Sequence, residues 1–360
     1  MKEGLAQAEG ELIAIFDADF VPEPDFLRRM VPHFQDPEVG LVQSRWTHLN
    51  EHYSLFTRLQ ALALDTHFMV EQMGRNQAGA FINFNGTGGI WRKACILDAG
   101  NWEADTLTED LDLSYRAQQK GWRFVYRPDV PSPAELPPVM AAIKSQQFRW
   151  TKGGAECARK HLRNVWRSPA ALLTKVHATA HLLNATIFIA VLLTALSSIP
   201  LWWGFYAGHI PFDLYAAALF FLLGFVLIAA VYAVANFTLS PKTPGSLLRF
   251  LYELPLFLSV SMGLSLHNAG AVWEGLSGKK SAFIRTPKYN LAEGQRGAWA
   301  QNVYHRFRIP LSTYVEFGLF LVFGGMVLLG WWTGTRELLL FHGMLCLGFG
   351  LVSIASFRSS

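Results

Sequence analysis

The chain has 360 residues, 51% of them hydrophobic and only 16% charged, whereas soluble globular domains carry about 25% charged residues. That balance, with a mean hydropathy of +0.21, excludes a wholly soluble protein. The apolar content and 14% aromatics exclude disorder, which needs low hydrophobicity and high net charge. The net charge of +4 comes without a dense Lys/Arg block interleaved with aromatics, so no nucleic-acid partner is expected. Cys95, Cys157 and Cys346 share no metal-ligand spacing and read as free thiols of a reducing compartment.

In chain order, Met1 opens directly onto a polar helical stretch, Lys2–Glu9, with no signal-peptide pattern. A short apolar strand, Leu12–Phe16, follows and ends in Asp17-Ala18-Asp19. Two carboxylates therefore sit where a buried strand leaves its sheet, the edge at which open α/β sheets bind ligands. Asp25 is suited to cap a helix running to about His33, Gly40–Arg45 reads as a second strand, and Leu55–Met73 has helical spacing. Gly79–Trp91 mixes aromatics with glycines and reads as a ligand-approach loop, because glycine permits close backbone approach and aromatics give flat faces. Thr108 is placed to cap a helix opened by Glu109 and Asp110 and continuing to Lys120. Phe124–Tyr126 is one more strand, the Pro-rich stretch Pro128–Pro138 is expected to end the sheet, and Val139–Val165 reads as a basic helix. Strands alternating with helices predict an α/β domain with a mainly parallel sheet over residues 1–168.

Residues 169–360 read as a membrane domain. Four transmembrane helices are expected at about 178–203, 214–237, 314–332 and 338–355, each near the length of about 20 residues that crosses a hydrocarbon core. Segment 247–276 is apolar but interrupted by Pro255 and unusually polar through Ser259, Ser265, His267 and Asn268, which suits an interfacial or re-entrant piece. Basic residues gather in Arg149–Lys175 and Lys279–Arg308, so the positive-inside rule puts the first domain and the loop 278–308 in the cytosol.

Three constellations carry chemistry. Asp17 and Asp19 can converge on one Mg²⁺ or Mn²⁺ bridging a diphosphate, since hard oxygen ligands suit those ions; alone, a D-x-D pair is as readily a solvated turn. Asp110, beside Glu109, can have a pKa raised toward that of a general base, or simply satisfy the helix dipole. Gln146, Arg149 and Trp150 form Q-x-x-R-W on one helical stretch and can offer an amide, a guanidinium for phosphate and an indole plane for a sugar. The same trio would equally suit a helix facing lipid headgroups.

The order of D-x-D, a Gly/aromatic loop, T-E-D and Q-x-x-R-W ahead of a membrane bundle resembles the processive family 2 glycosyltransferases of the cellulose synthase superfamily. The resemblance is greatest to the cellulose-synthase-like mannan and glucomannan synthases, through Leu41–Trp46, Val70-Glu71-Gln72, Phe84–Arg92 and Lys120-Gly121-Trp122. It covers residues 1–165 strongly and the rest loosely. It implies an α/β GT-A-type catalytic domain followed by an α-helical transmembrane bundle. It further implies inverting transfer of mannose or glucose from GDP-mannose or UDP-glucose to a growing β-linked polysaccharide at the plasma or inner membrane. Asp17 and Asp19 would hold metal and diphosphate, Arg149 would offset leaving-group charge, and Asp110 with Glu109 would serve catalysis. Phe84, Asn85, Gly86, Gln146 and Trp150 would hold the acceptor. Phe283, Thr286 and Lys288 match the family's gating loop, with Arg285 where the family has Val. The family's preceding nucleotide-binding half-sheet has no counterpart in this sequence, so the resemblance leads one to expect a missing N-terminal half or a partner subunit, and an exposed edge at Leu12–Phe16. A glycolipid-forming hexosyltransferase of the ceramide glucosyltransferase kind, acting on a lipid acceptor, and a non-catalytic membrane subunit are the alternatives.

Overall fold

The computed structural model describes residues 1–214, 223–240, 243–289 and 309–359. The expected span 214–237 and the expected loop 278–308 therefore lie partly outside the described residues. The chain forms two compact units. The first comprises Met1–Pro137, Ser145–Ala185 and Ala271–Arg296, so two stretches beyond residue 168 pack with it; the second comprises Pro138–Lys144, Thr186–Gly270 and Gly297–Ser360.

In the first unit, helix α1 (Lys2–Gln7) leads into strand β1 (Leu12–Ile15), and α2 (Phe26–Met30) is followed by a 3₁₀ turn to Gln35 and by β2 (Val39–His48). Helix α3 (Leu55–Thr66) passes through a π-helical turn, His67–Gln72, into α4 (Met73–Gln77). Then come β3 (Gly89–Arg92), α5 (Lys93–Asp98), α6 (Glu109–Gln119), β4 (Arg123–Ala134) and the long α7 (Met140–Arg167). The sheet order is β1-β3-β2-β4. Its pairing corrects the expectation of a mainly parallel sheet. Strand β3 runs antiparallel to both β1 and β2, and only β2 and β4 pair in parallel. The Gly/aromatic stretch ends in this reversed strand rather than in a loop.

Strand β4 also outruns its expected end, passing through Pro128, Pro131 and Pro133 with a register shift opposite Ser44/Arg45. It can do so because it is an edge strand, where proline's missing N–H costs no ladder bond on the open side. Alternation along the strands divides the core between two faces. Leu41, Trp91, Phe124 and Tyr126 join Phe68, Phe84 and Trp102 on one side. Val42, Ile90 and Val125 join Phe26, Met30, Phe34 and Val130 on the other. The period of 2 thus gives a sheet covered on both faces, as an α/β domain requires.

Helix α8 (Leu172–Leu183), the last helix of the first unit's second stretch, continues through a 3₁₀ turn into α9 (Ile187–Tyr206) of the second unit; α10 (Gly224–Leu239), α11 (Pro244–Gly263), α12 (Ser265–Ser277), whose last turns belong to the first unit, α13 (Leu311–Thr333) and α14 (Leu339–Arg358) follow. Leu172–Tyr206, Leu311–Thr333 and Leu339–Arg358 are long and apolar enough to cross a membrane, and α11 with α12 form a pair bent by 49°. Exposed Leu311, Leu328, Trp332 and Leu340 suit a lipid-facing surface. Small residues bring α11 and α14 into backbone contact: a Cβ on Gly263 would run into the Gly348 carbonyl oxygen, and one on Gly348 into that of Ser259. Such close approach is how apolar helices associate where lipid removes the hydrophobic incentive. Gly348→Leu is therefore expected to lower the thermal midpoint of the detergent-solubilised protein by several degrees, since overpacking costs about 1–3 kcal/mol; an unchanged midpoint would show that the two backbones are not in contact.

Candidate active site

A cleft of about 1100 Å³ in the first unit is lined by Asp17, Asp19, Asn85, Gly86, Glu109, Asp110, Gln146, Arg149, Trp150, Phe283, Arg285, Thr286 and Lys288. The fold thus gathers twelve of the thirteen residues singled out as site candidates, and adds Arg285. The thirteenth, Phe84, is fully buried in the core against Trp91 and Trp102. Its ring passes so close to Gly89 that a Cβ there would lie 3.0 Å from it. Gly89 makes room for Phe84, not for a ligand, which corrects the reading of Phe84 as an acceptor contact.

The D-x-D turn is tied at several points. The Asp17 N–H donates to Thr87 Oγ1 at 2.8 Å, Phe20 N–H closes the turn on Asp17 O at 3.0 Å, and Val21 N–H donates to Pro133 O on β4. Asp19 Oδ2 accepts from Glu135 N–H at 3.3 Å and from Lys288 Nζ at 2.6 Å. Its Oδ1 is buried without a hydrogen-bond partner. Desolvation first, then the Asp19 charge, push the Asp17 carboxyl above its ordinary range, against the opposing pull of Lys288, Arg149 and Arg285.

Thr87 is held in turn by β2, through residues that sequence reasoning did not assign. The fully buried Gln43 donates through Nε2 to the carbonyls of Thr87 and Gly88 at 3.1 and 3.0 Å and accepts Asn85 N–H at 3.2 Å. Trp46 Nε1–H donates to Thr87 O, and Ser44 Oγ–H donates to Gly88 O. Their signal was a polar pair directly after the apolar run Val39–Val42, which a buried setting requires to be hydrogen-bonded.

Asp110 stands at the first turn of α6. Thr108 precedes that helix without making a side-chain cap. Its hydroxyl instead lies 3.5 Å from Cys157 Sγ, and a Cβ on Gly153 would lie 2.5 Å from it, so α7 packs directly onto the T-E-D segment. That packing sets Arg149 beside the acids. Gly86, with φ of +81°, brings its backbone to the Asp110 carboxylate, where a Cβ would stand 3.2 Å from Oδ2. Burial, then the neighbouring Glu109 charge, raise the Asp110 pKa to about 7.

Arg149 donates from Nη2 to Thr286 Oγ1 at 2.7 Å and stacks 4.7 Å above the Phe283 ring, while its buried Nε has no hydrogen-bond partner. The buried Lys152 anchors the start of the same loop through Glu274, at 3.1 Å, and Ser281. Farther along, the Glu135 carboxylate accepts Tyr289 N–H. Residues 281–289 thus lie over the cleft.

A second acid group, Glu103, Asp105 and Asp112, has carboxylate oxygens close enough to share a cation. Lys160 Nζ already sits 2.6, 2.9 and 2.8 Å from the three. Although burial opposes its ionisation, hydrogen bonds from His161, Lys160 and Arg116 hold the Asp112 carboxyl well below the usual carboxylate range.

With this geometry in view, the match of residues 12–237 to the model of "Glycosyl transferase family group 2" decides the family. The chain belongs to it. A glucomannan 4-beta-mannosyltransferase 1 of Oryza sativa subsp. japonica is 36% identical over 80% of this chain and 54% of its own length. A glucomannan 4-beta-mannosyltransferase 2 of Arabidopsis thaliana is 34% identical over 82% and 54%. The chain spans about half the length of these curated relatives. A solved mannosyltransferase, PcManGT from Pyrobaculum calidifontis in complex with GDP-Man and Mn²⁺, is 19% identical at a TM-score of 0.42, over 77% of this chain and 66% of its own.

A carboxyl whose folded pKa is raised stabilises the fold most below its unfolded value, and that stability is lost as pH rises through the folded pKa. For Asp110 the loss runs from about pH 4 to about pH 7. Asp110→Asn is expected to unfold at the same temperature as wild type near about pH 4 and at a higher one near about pH 8. Equal midpoints at both would show that Asp110 is not desolvated.

Proposed function

We propose that the chain forms the catalytic and acceptor-holding part of a membrane-embedded inverting mannosyltransferase that extends a β-linked polysaccharide from GDP-mannose. The observation that carries this reading is one cleft holding a D-x-D pair, a cation-lined loop and a desolvated carboxyl with a pKa near 7. The names of the plant relatives favour mannose over the glucose of UDP-glucose.

The D-x-D pair fits a divalent cation. Asp19 Oδ1 is buried and unpartnered, and Asp17 carries a carboxyl pushed up by desolvation and by its neighbour's charge. Asp17 and Asp19 would hold Mg²⁺ or Mn²⁺, both of which favour oxygen ligands. When bound, the ion would supply positive charge beside the leaving diphosphate.

The chain's own groups do the rest. Arg149, with its unpartnered Nε–H, would donate to a phosphate oxygen, and Thr286 and Lys288 would close over the diphosphate. Asp110 would take the proton of the acceptor hydroxyl as that oxygen attacks the anomeric carbon from the face opposite the nucleotide. A base with a pKa near the working pH balances ionised fraction against proton affinity. Glu109 would sustain that pKa by like charge, and Trp150, Gln146, Asn85 and Gly86 would hold the acceptor sugar. Membrane lipid would surround spans near 178–203, 214–237, 314–332 and 338–355, with 247–276 interfacial or re-entrant and the catalytic unit in the cytosol.

Membranes carrying the protein, supplied with radiolabelled GDP-mannose or UDP-glucose, test the reading. The expected product is an insoluble, β-mannanase-sensitive polymer formed from GDP-mannose and suppressed by EDTA. Label confined to a chloroform-soluble glycolipid would favour a lipid acceptor, and no transfer from either donor would overturn the proposal. Asp110→Asn should lower transfer by at least about 10²-fold with donor binding nearly intact. Since the base must be ionised, wild-type kcat/KM should rise with pH to a plateau above about 7. A flat profile across that range would remove Asp110 from the role.

A further inference from the structure

Helix α8 carries more apolar surface than the first unit covers. Its inner face, with Ala178 and Leu182, packs into one buried cluster with Tyr115 of α6 and with Cys157, Ala158 and Val165 of α7. The Tyr115 hydroxyl lies 2.9 Å from His181 Nδ1 and 3.3 Å from Ala178 O. Leu172, Leu173 and Val176 fall on the opposite side at helical spacing, and the first two are 68% and 62% exposed. A helix that is apolar on both sides needs cover on both.

A membrane crossing does not account for that outer face. The apolar run Leu172–Tyr206 has 35 residues, whereas a hydrocarbon core is crossed by about 20, the length of α9 alone. The 12 residues of α8 are surplus to a crossing, and their contacts belong to the first unit. Trp166, at the end of α7, extends the same face: its Nε1–H donates to Thr179 Oγ1 at 3.0 Å while the residue stays exposed. An indole with its N–H satisfied and its ring open suits the boundary between membrane and water. The turn between the two helices is closed by its own hydrogen bonds, Ser168 N–H to Asn164 O and Ser168 Oγ–H to Val165 O.

The rim of this face is cationic. Arg163 and Arg167, both exposed, stand within one turn of Trp166 on α7, and the half-buried Lys175 precedes Val176 on α8. None of the three forms an ion pair among the described residues. No local acid is at hand either: between Glu156 and Asp213 the sequence has five Lys or Arg and no Asp or Glu.

We propose that Trp166, Leu172, Leu173 and Val176, with Arg163, Arg167 and Lys175, form a docking surface for acidic phospholipid. The apolar residues enter the acyl boundary and the three cations meet the headgroup phosphates. A zwitterionic headgroup brings its own positive charge, whereas an acidic one supplies the counter-charge that these cations lack. Each basic group close to an acidic leaflet adds about fivefold in affinity, so the three together add about 10²-fold. Lipid seated here bears on α8 from the side opposite α6, the helix whose first turn carries Asp110.

The test uses the full chain in an uncharged detergent, titrated with phosphatidylglycerol or phosphatidylcholine. The thermal midpoint reads binding, because a ligand that binds only the folded state raises it. Phosphatidylglycerol is expected to give a saturable rise at concentrations about 10²-fold lower than phosphatidylcholine. The combined surface changes Arg163→Gln, Arg167→Gln and Lys175→Gln should remove that preference and leave the midpoint in lipid-free detergent unchanged. Salt at about 0.5 M should weaken the preference in the wild type and have no such effect on the triple variant. Leu173→Asp should weaken the response to both lipids. Equal responses to the two lipids, a preference that survives in the triple variant or in salt, or no effect of Leu173→Asp would each overturn the proposal. A midpoint that rises with protein concentration and not with lipid would overturn it too, by assigning the face to a second copy of the chain. None of these readouts uses sugar transfer, so their failure is distinct from failure of the mannosyltransfer reading.

Discussion

The site depends on one buried amide. Gln43 sits fully enclosed in β2, where its side chain could not remain without partners, and it finds them in Asn85, Thr87 and Gly88. That bonding fixes the segment leading into β3, and each residue of the segment then meets a different part of the cleft. Thr87 holds the Asp17 N–H, Gly86 presses on Asp110, and Asn85 meets His67. The D-x-D turn, the Asp110 carboxylate and the Asn85 amide are thereby indexed to a single piece of backbone. The positive φ of Gly86 and Gly88 is what allows that backbone to pass so close to its neighbours.

Charge is the second constraint. Asp17, Asp19, Glu109 and Asp110 share one cleft with Arg149, Arg285 and Lys288. Burial in a partly dry space, and after it the repulsion of a neighbouring carboxylate, push the Asp17 and Asp110 carboxyls above their ordinary range. The loop carrying Arg285, Thr286 and Lys288 relieves that repulsion from outside the sheet, with Lys288 on Asp19 and Thr286 on Arg149. The substitution of Arg285 for the apolar residue expected in such a loop adds one more cation acting on Asp17.

Much of this was legible because the chemistry requires particular residue types at particular ends of elements. Acids leaving a strand, acids opening a helix and an Arg-Trp pair one turn after Gln146 are local patterns, and all seven residues they pointed to line the cleft, as do five of the six that came only through the family resemblance. What sequence reasoning missed depends on pairing across long separations. Nothing local to Gly89–Arg92 says that it runs antiparallel between β1 and β2, and nothing local to Phe84 says that its ring lies across Gly89. The prolines of β4 misled because proline breaks a central strand but not an edge one, and edge position is a property of the sheet. Gln43 was hidden for the same reason, its partner Thr87 lying 44 residues away.

Two groups of acids on the same unit show how satisfied and unsatisfied oxygens separate structure from function. Glu103, Asp105 and Asp112 are close enough to hold a cation, and they hold one, the ammonium of Lys160. Asp112 also receives His161 and Arg116, so its lone pairs are spent on tying α6 to α7 and its low pKa follows. The D-x-D pair is built the other way. Asp19 meets one lysine on one oxygen and nothing on the other, and Asp17 is left with a raised pKa beside three cations at longer range. Lys160 cannot leave without taking from the buried Asp112 one of its three partners. Lys288 comes from an exposed loop side chain and can be exchanged for another cation at little cost. Ion pairing that is complete makes the scaffold, and ion pairing left incomplete at the mouth of the cleft leaves the place where a ligand's charge would be accommodated.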